Sequence, residues 1–219
     1  MFVGHYAAAF ALKGKQPKAS LGLLFIAVQF VDILFFPFAV LGIEKLVFVE
    51  DFTAVNDFVM TFPYTHGLLG SLIWGVIFGV GYILLNKSKT QRKSVALVLG
   101  LAVLSHWFTD LIVHTPDLPL VEGEPKFGLG LWQNKHYTFL VEAVLLLLGV
   151  AYYFKNVRLG TTLRKLSAVV FVVFLLAINY LNLFVLPANN DLIALTISAL
   201  VAYFLFSGLA YWLDGRTKT

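Results

Sequence analysis

The sequence predicts an all-α fold: a polytopic membrane helix bundle of about six transmembrane helices, with a short apolar segment at its N-terminus. Of its 219 residues, 59% are hydrophobic and only 13% are charged, too few to cover the surface of a soluble domain of this length. Six apolar stretches approach the roughly 20 residues that cross a bilayer. Basic and acidic connections alternate between them. The length suits a single integral membrane domain over residues 1–219.

The six predicted spans are bounded by charged residues or by segments that contain proline, glycine or asparagine. They cover residues 20–43, 66–85, 95–114, 137–154, 166–186 and 192–213. Pro37 lies in the first span. We expect that span to kink or break near its far end, because proline lacks a backbone N–H and clashes with the preceding turn.

The apolar stretch at residues 1–12 is too short to span a membrane. The charges of Lys13, Lys15 and Lys18 follow it, whereas a cleavable signal peptide carries its positive charges in front. Two placements are open. The stretch is either a partly inserted helix whose N-terminal end points into the bundle, or an interfacial helix on the cytoplasmic face.

The charges of the connecting segments predict an orientation. Thirteen of the sixteen Lys and Arg residues lie in the N-terminal segment, in residues 87–93 and 155–165, and in the C-terminal tail. These segments share one side of the membrane if the spans alternate, and the positive-inside rule places that side, with both termini, in the cytoplasm. The other side carries Lys45, Lys126 and Lys135 with Glu44, Glu50, Asp51, Asp57, Asp117, Glu122, Glu124 and Asp191. This distribution explains the basic balance without a nucleic-acid partner.

The candidate functional residues are the ionisable groups inside the predicted spans. Asp32, Asp110 and Glu142 lie within spans, and each costs at least ~2.5–3.5 kcal/mol to place at the membrane centre. All five histidines lie in or at the ends of apolar segments. Counting ~1.5 Å per residue from the basic segments places most of these groups between mid-membrane and the outer boundary, whereas His5 reaches that depth only if the N-terminal stretch inserts.

The pattern His106-x-x-x-Asp110-x-x-x-His114 places three side chains on one helical face. Neutral imidazole and carboxylate groups are typical zinc ligands, and the chain has no cysteine to offer a thiolate. Alternatively, these residues form a hydrogen-bonded polar face or a proton relay, and His114 lies at the interface. The small residues Gly67, Ser71, Gly75 and Gly79 recur every fourth position, which predicts close packing against another helix.

Four features together resemble a known family. They are His5 near the N-terminus, Asp32 in the first span, Thr65-His66-Gly67 opening the second span, and His106-Trp-Phe-Thr-Asp110. This set resembles the bacterial inner-membrane metal-dependent hydrolases of the LexA-regulated, membrane-bound type, whose site is similar to that of zinc-dependent phospholipase C. The resemblance covers residues 1–115. This chain departs from it with a single acid in the first span and with Phe-Pro-Tyr where members have His-Arg-Gly before the Thr-His pair.

The resemblance implies a multi-pass protein of the bacterial inner membrane that hydrolyses a phosphoester, including one in a lipid, from the periplasmic side. Zn²⁺ or another divalent transition metal would activate water there. Two alternatives stay open: a proton-coupled transporter that uses the embedded acids and histidines, and a non-catalytic membrane subunit with a closed structural metal site. The expected metal ligands are His5, Asp32, His66, His106, Asp110 and His114, and the expected catalytic groups are Glu142 and His136.

Overall fold

The computed structural model describes residues 1–87, 90–121, 123, 125–187 and 189–214. Two predicted acids of the outer side, Glu122 and Glu124, and the basic residues Lys89, Arg216 and Lys218 lie outside the described residues. The described helices are α1 (His5–Lys15), α2 (Leu21–Val28), α3 (Phe30–Val40), α4 (Leu68–Leu85), α5 (Arg92–Val113), α6 (Lys135–Asn156), α7 (Thr162–Phe184) and α8 (Leu192–Asp214).

The all-α membrane fold is confirmed. Helices α4 to α8 are each long and apolar enough to cross a membrane, and the bent pair of α2 and α3 would form a sixth span. Their outward faces are rich in exposed Leu, Val, Ile and Phe side chains, as expected for helices whose solvent is lipid.

The first predicted span is bent by 47° between α2 and α3. The break lies at Gln29, eight residues before Pro37, and α3 continues through Pro37 to Val40. The expected break at Pro37 is therefore misplaced. Gln29 is fully buried, and its side-chain amide donates to the Phe2 carbonyl at 3.3 Å. The bend thus accommodates the start of the chain, and it places Asp32 in the first turn of α3.

Helix α1 lies inside the bundle, against α2, α5 and α6. It runs parallel to α6: Gly4 approaches Glu142, and Gly14 approaches Tyr152 further along. A side chain at Gly149 of α6 would collide with the Ala7 backbone, so the small residue permits this contact. Of the two placements left open for the N-terminal stretch, the structure has the inserted one, with the start of α1 pointing into the bundle.

Helices α4 and α5 pack through small residues. A Cβ atom added to Gly75 would lie 2.7 Å from the Gly100 carbonyl oxygen, and one added to Gly79 would lie 2.9 Å from the Ala96 carbonyl oxygen. The predicted ridge therefore serves close packing. It also fixes the start of α4, which follows directly after His66 and Gly67, relative to α5.

The two ends of the bundle differ in structure. The end that holds the α3–α4, α5–α6 and α7–α8 connections, here called the acidic end, carries two small antiparallel sheets that the sequence did not predict. These pair β1 (Lys45–Phe48) with β2 (Phe58–Thr61), and β3 (Leu118–Pro119) with β4 (Lys126–Phe127). The opposite end, here called the basic end, holds the α1–α2, α4–α5 and α6–α7 connections.

A buried ion pair joins the first and last described helices at the basic end. The Lys13 ammonium lies 2.6 Å from Asp214 Oδ1 and donates to the carbonyl oxygens of Pro17 and Ala19. Asp214 Oδ2 in turn accepts from the Leu21 backbone N–H at 2.8 Å. All three ammonium hydrogens have acceptors, which is what a buried ammonium requires.

Candidate metal centre

Six ionisable side chains from four parts of the chain meet in the half of the bundle nearer the acidic end, and they are here called the His/Asp cluster. Five of them are at most 3% exposed, and the Asp32 side chain is 15% exposed. The members are His5 of α1, Asp32 of α3, His66 just before α4, and His106, Asp110 and His114 of α5 and its C-terminal cap. The structure therefore brings together every metal ligand expected from the sequence.

Asp110 lies at the centre of the His/Asp cluster. Its Oδ2 atom is 2.9 Å from His106 Nε2, 3.6 Å from His114 Nε2 and 3.9 Å from His66 Nε2. Its Oδ1 atom is 3.2 Å from His5 Nε2. The two oxygens of this carboxylate thus face different imidazoles.

Asp32 approaches the same imidazoles from α3. Its Oδ1 atom is 3.1 Å from His66 Nε2 and 3.7 Å from His106 Nε2. Its Oδ2 atom accepts a hydrogen bond from the Tyr203 hydroxyl at 2.9 Å. Tyr203 belongs to α8, so the last described helix holds this carboxylate in place.

The Nδ1 atoms of His106 and His114 face groups that can only accept a hydrogen bond. His106 Nδ1 lies 2.8 Å from the carbonyl oxygen of Val28, the last residue of α2. His114 Nδ1 lies 2.9 Å from Asp117 Oδ1. Each Nδ1 must therefore carry the proton and donate, and in the neutral ring Nε2 is then a bare lone pair.

His5 reaches the same tautomer through a hydroxyl. Its Nδ1 atom lies 2.7 Å from Thr109 Oγ1, and that hydroxyl donates to the backbone carbonyl of Ser105 or His106, at 3.0 and 2.9 Å. Because Thr109 has a single hydroxyl hydrogen, it accepts from His5. His5 Nε2 is then free to face Asp110.

His66 is oriented by a chain of two residues. Glu44 Oε1 accepts from the backbone N–H groups of Tyr64 and Thr65, both at 2.9 Å. The Thr65 hydroxyl donates to Glu44 Oε2 at 2.7 Å, so it accepts from His66 Nδ1 at 2.9 Å. His66 Nε2 consequently faces Asp32 Oδ1, at 3.1 Å.

Four imidazoles thus present Nε2 to two carboxylates. A bare lone pair beside a carboxylate oxygen is repulsive unless a proton or another cation lies between them. The Nε2 atoms of His5 and His106 make no hydrogen bond to any residue that the structure describes. Two triads, His5–Asp32–His106 and His66–His106–Asp110, each have their ligand atoms within 4.8 Å of one another. These buried groups could hold a metal ion, with Nδ1 partners of the kind that orient metal-bound histidines.

The start of the chain packs against the His/Asp cluster. The Met1 amino group lies 2.6 Å from Asp110 Oδ1. Glu142 Oε2 accepts from the backbone N–H groups of Phe2 and Gly4, at 3.2 and 2.9 Å. A carboxylate at the start of a helix satisfies unpaired N–H groups and the helix dipole. Glu142 therefore fixes the entry into α1, and with it His5.

His136 is not brought to the His/Asp cluster. It is exposed in the first turn of α6, and its ring packs against Phe184 of α7.

The sequence did not reveal the roles of Thr109, Asp117 and Tyr203 as partners of the His/Asp cluster. Thr109 and Asp117 lie within four residues of cluster members, a spacing that could have identified them. Nothing in the local sequence points to Tyr203.

A cavity of about 1090 Å³ opens beside the His/Asp cluster. Asp32, His66, Asp110 and His114 form part of its wall, and residues of α7 and α8 form much of the rest. A second cavity of about 180 Å³ lies near the basic end, and no histidine or acid is among its described lining residues. The larger cavity gives the cluster access to solvent or to a ligand.

No protein-family model, curated protein or solved structure matches this chain. The resemblance to the membrane-bound hydrolases therefore rests on the residues that carry it, now placed within one cluster.

Proposed function

We propose that this protein is a membrane-embedded, metal-dependent hydrolase that cleaves a phosphoester. The observation that carries this proposal is the common orientation of four imidazoles, each with Nε2 turned towards Asp32 or Asp110 at the wall of a large cavity. The resemblance of the same residues to the membrane-bound hydrolases supports the same conclusion.

Zinc is the proposed metal. Imidazole nitrogen and carboxylate oxygen are its ordinary ligands where thiolates are lacking, and this chain has no cysteine. The two triads share His106, and Asp110 faces imidazoles with both oxygens, so the cluster has enough ligands for two ions. When bound, the metal would activate water and polarise the phosphoryl oxygen.

The residues around the proposed metal site have distinct roles. Glu44, Thr109 and Asp117 hold the imidazoles in one tautomer, and Tyr203 holds Asp32. Glu142 has its carboxylate occupied by backbone N–H groups, so we assign it the positioning of α1 rather than proton transfer. His136, exposed and packed on Phe184, has no assigned part in the chemistry.

An open site distinguishes this proposal from a structural metal centre. A structural zinc is enclosed by four protein ligands, whereas a catalytic one keeps a position for water or substrate. Four members of the His/Asp cluster line the cavity, and this favours an accessible metal.

The apolar half of the bundle favours an enzyme over a proton-coupled transporter. Between the His/Asp cluster and the basic end, α1 and α2 fill the interior with side chains such as Phe10, Leu24 and Phe25, all at most 2% exposed. A proton path across the membrane would need titratable groups or water there.

The proposed enzyme works from the acidic end, which the positive-inside rule assigns to the periplasm of a bacterial inner membrane.

Metal analysis tests the proposal directly. Protein purified in detergent should contain one or two equivalents of a transition metal, roughly what the ligand count allows. His106→Ala should lose most of it, whereas His136→Ala, a histidine outside the cluster, should retain it. Chelation should abolish phosphodiester hydrolysis by the wild type, and added Zn²⁺ should restore it. Wild-type protein without stoichiometric metal, or His106→Ala with undiminished activity, would contradict the proposal.

A further inference from the structure

Two asparagines line the cavity from α7, a helix that lies outside the resemblance. Asn179 and Asn182 are three residues apart, so their side chains lie on the same face of that helix. Ala199 and Ala202 of α8 line the same cavity, and their small side chains occupy little of its space. With a volume of about 1090 Å³, the cavity has room for much more than a phosphate group.

Asn179 lies at about the depth of the His/Asp cluster in the bundle. Phe139 of α6 meets Tyr180 of α7 edge to face, with ring centroids 5.9 Å apart. Asn179 adjoins Tyr180, and Glu142 lies one helical turn from Phe139. Glu142 holds the start of α1 beside the cluster, and both Glu142 and Asn179 line the cavity. The amide is therefore beside the cluster, not at the rim of the cavity.

The Asn179 amide has no partner among the described residues. The side chain is fully buried and lines the cavity, yet neither its nitrogen nor its oxygen makes a hydrogen bond there. A buried amide without partners is costly, so its presence on a cavity wall indicates a ligand that supplies them. The ligand must accept from the amide nitrogen and donate to the amide oxygen, and hydroxyl groups do both.

Oxygen-bearing side chains also line the cavity at the acidic end. Three acids and two amides lie there: Asp51, Asp57, Asp191, Asn189 and Asn190. Carboxylate oxygens accept hydrogen bonds from hydroxyl groups. Lys135 is the one cationic side chain among the described lining residues, and this surplus of acids disfavours a ligand with further negative charge. The wall suits a neutral, hydroxyl-rich group that carries a single phosphate.

We infer that the cavity binds the phosphoester of a sugar, and that Asn179 and Asn182 recognise hydroxyl groups of that sugar. The phosphate lies at the His/Asp cluster, and the sugar lies beside it, against α7 and α8. This inference rests on the proposed function for the phosphate position, and it adds the substrate class and two specificity residues.

Binding to the full chain in detergent tests the inference with two probes, glucose 1-phosphate and ethyl phosphate. Both are phosphate monoesters, so the ratio of their affinities, measured by calorimetric titration, isolates the contribution of the sugar. The wild type should bind glucose 1-phosphate at least about tenfold more tightly, the gain expected for one or two hydrogen bonds. Asn179→Leu should remove most of this preference and leave the affinity for ethyl phosphate unchanged. Phosphate release is recorded in parallel.

Asn182→Ala is a second variant, which removes an amide from the cavity wall without placing a larger side chain there. It should lower the ratio of affinities about threefold, the loss of roughly half of one hydrogen bond to one full bond. Thr196→Val is the matched control. Thr196 of α8 also has a buried hydroxyl without a partner among the described residues, but it is not among those that line the cavity. This variant should keep the ratio of the wild type.

Two results would overturn the inference. The first is a wild type that binds both probes equally, or Asn179→Leu and Asn182→Ala variants that keep the preference of the wild type. The second comes from cytidine 5′-monophosphate as a third probe. If it binds more tightly than glucose 1-phosphate and loses that affinity in Asn179→Leu, the amides recognise a nucleobase and not a sugar.

The two proposals fail separately. A protein without metal or phosphate release that still prefers glucose 1-phosphate through Asn179 contradicts only the proposed enzyme. An active metalloenzyme without this preference contradicts only the inference about the sugar.

Discussion

Each of the four histidines in the His/Asp cluster forms a hydrogen bond through Nδ1 with a group outside the cluster. The partners differ: a backbone carbonyl for His106, a carboxylate for His114, and threonine hydroxyls for His5 and His66. The result is the same in each ring, since every Nδ1 donates and every Nε2 faces Asp32 or Asp110. Four imidazoles that reach one tautomer through three kinds of partner are hard to reconcile with a purely structural polar face, where mixed tautomers would serve equally well.

Glu44→Gln tests this control of the tautomer. The new amide oxygen stays on the backbone N–H groups of Tyr64 and Thr65, so the amide nitrogen faces the Thr65 hydroxyl. That hydroxyl then donates to His66 Nδ1, and the imidazole proton moves to Nε2, where it blocks metal binding. We expect metal affinity, measured by chelator competition, to fall about 10–100-fold.

Thr65→Ser is the control for this substitution, because serine keeps the hydroxyl that joins Glu44 to His66. Its metal affinity should stay close to that of the wild type. A folded Glu44→Gln variant with unchanged affinity would show that the Glu44–Thr65 chain does not set the His66 tautomer.

The sequence identified the His/Asp cluster because charged and imidazole groups are rare within apolar spans, so each one stands out. It could not identify how they are held. Tyr203 lies 171 residues from Asp32, and Glu44 lies 21 residues from Thr65. These contacts depend on how helices pack in three dimensions, and no periodicity within one segment encodes them. Glu142 was recognised for the same reason as the cluster residues, but its partners, the N–H groups at the start of α1, lie about 140 residues away.

At the scale of helices, the long apolar spans could be predicted because a bilayer imposes length and composition on each. The bend at Gln29 could not be predicted, because it lies eight residues before the nearby proline, at a side chain that bonds to the distant Phe2. The hairpin of β1 and β2 was missed since it lies in a connection between spans, where apolar periodicity carries little information. The insertion of α1 depends on close approach to Gly149, again a feature of a distant segment.

Gly75→Ala and Gly81→Ala compare two glycines of the same helix, α4. A Cβ at Gly75 would lie 2.7 Å from the Gly100 carbonyl oxygen, whereas one at Gly81 meets nothing within 4 Å. We expect Gly75→Ala to lower the free energy of unfolding by about 1–3 kcal/mol through overpacking. Gly81→Ala should raise it by about 0.5–1 kcal/mol, because alanine favours the helix.

Thermal or denaturant unfolding in detergent measures both variants. If the two behave alike, the α4–α5 contact adjusts freely and the small-residue ridge does not fix the start of α4. His66 would then be held mainly by its own hydrogen bonds.

At the scale of the whole molecule, the asymmetry of charge predicts which end faces which compartment. The chain has no cysteine, so single cysteines can report on either end without background. Glu50→Cys places a thiol at the acidic end, and Arg158→Cys places one at the basic end, both at exposed positions.

An impermeant maleimide added to intact bacterial spheroplasts should label Glu50→Cys and leave Arg158→Cys unlabelled until the membrane is permeabilised. This result follows from the positive-inside rule. The opposite pattern would reverse the orientation and would direct the proposed hydrolase towards the cytoplasm.

The pairing of Lys13 with Asp214 has a consequence for biogenesis. Helix α8 leaves the ribosome after the other described helices, and it brings both the carboxylate that neutralises Lys13 and the hydroxyl that holds Asp32. Until then α1 carries an ammonium without its counterion, which opposes burial of that helix in the bundle. We therefore expect α1 to stay at the membrane surface, or bound to the insertion machinery, until α8 has been synthesised. The His/Asp cluster would assemble only after α8 has been synthesised, so the proposed metal would be acquired after that helix joins the bundle.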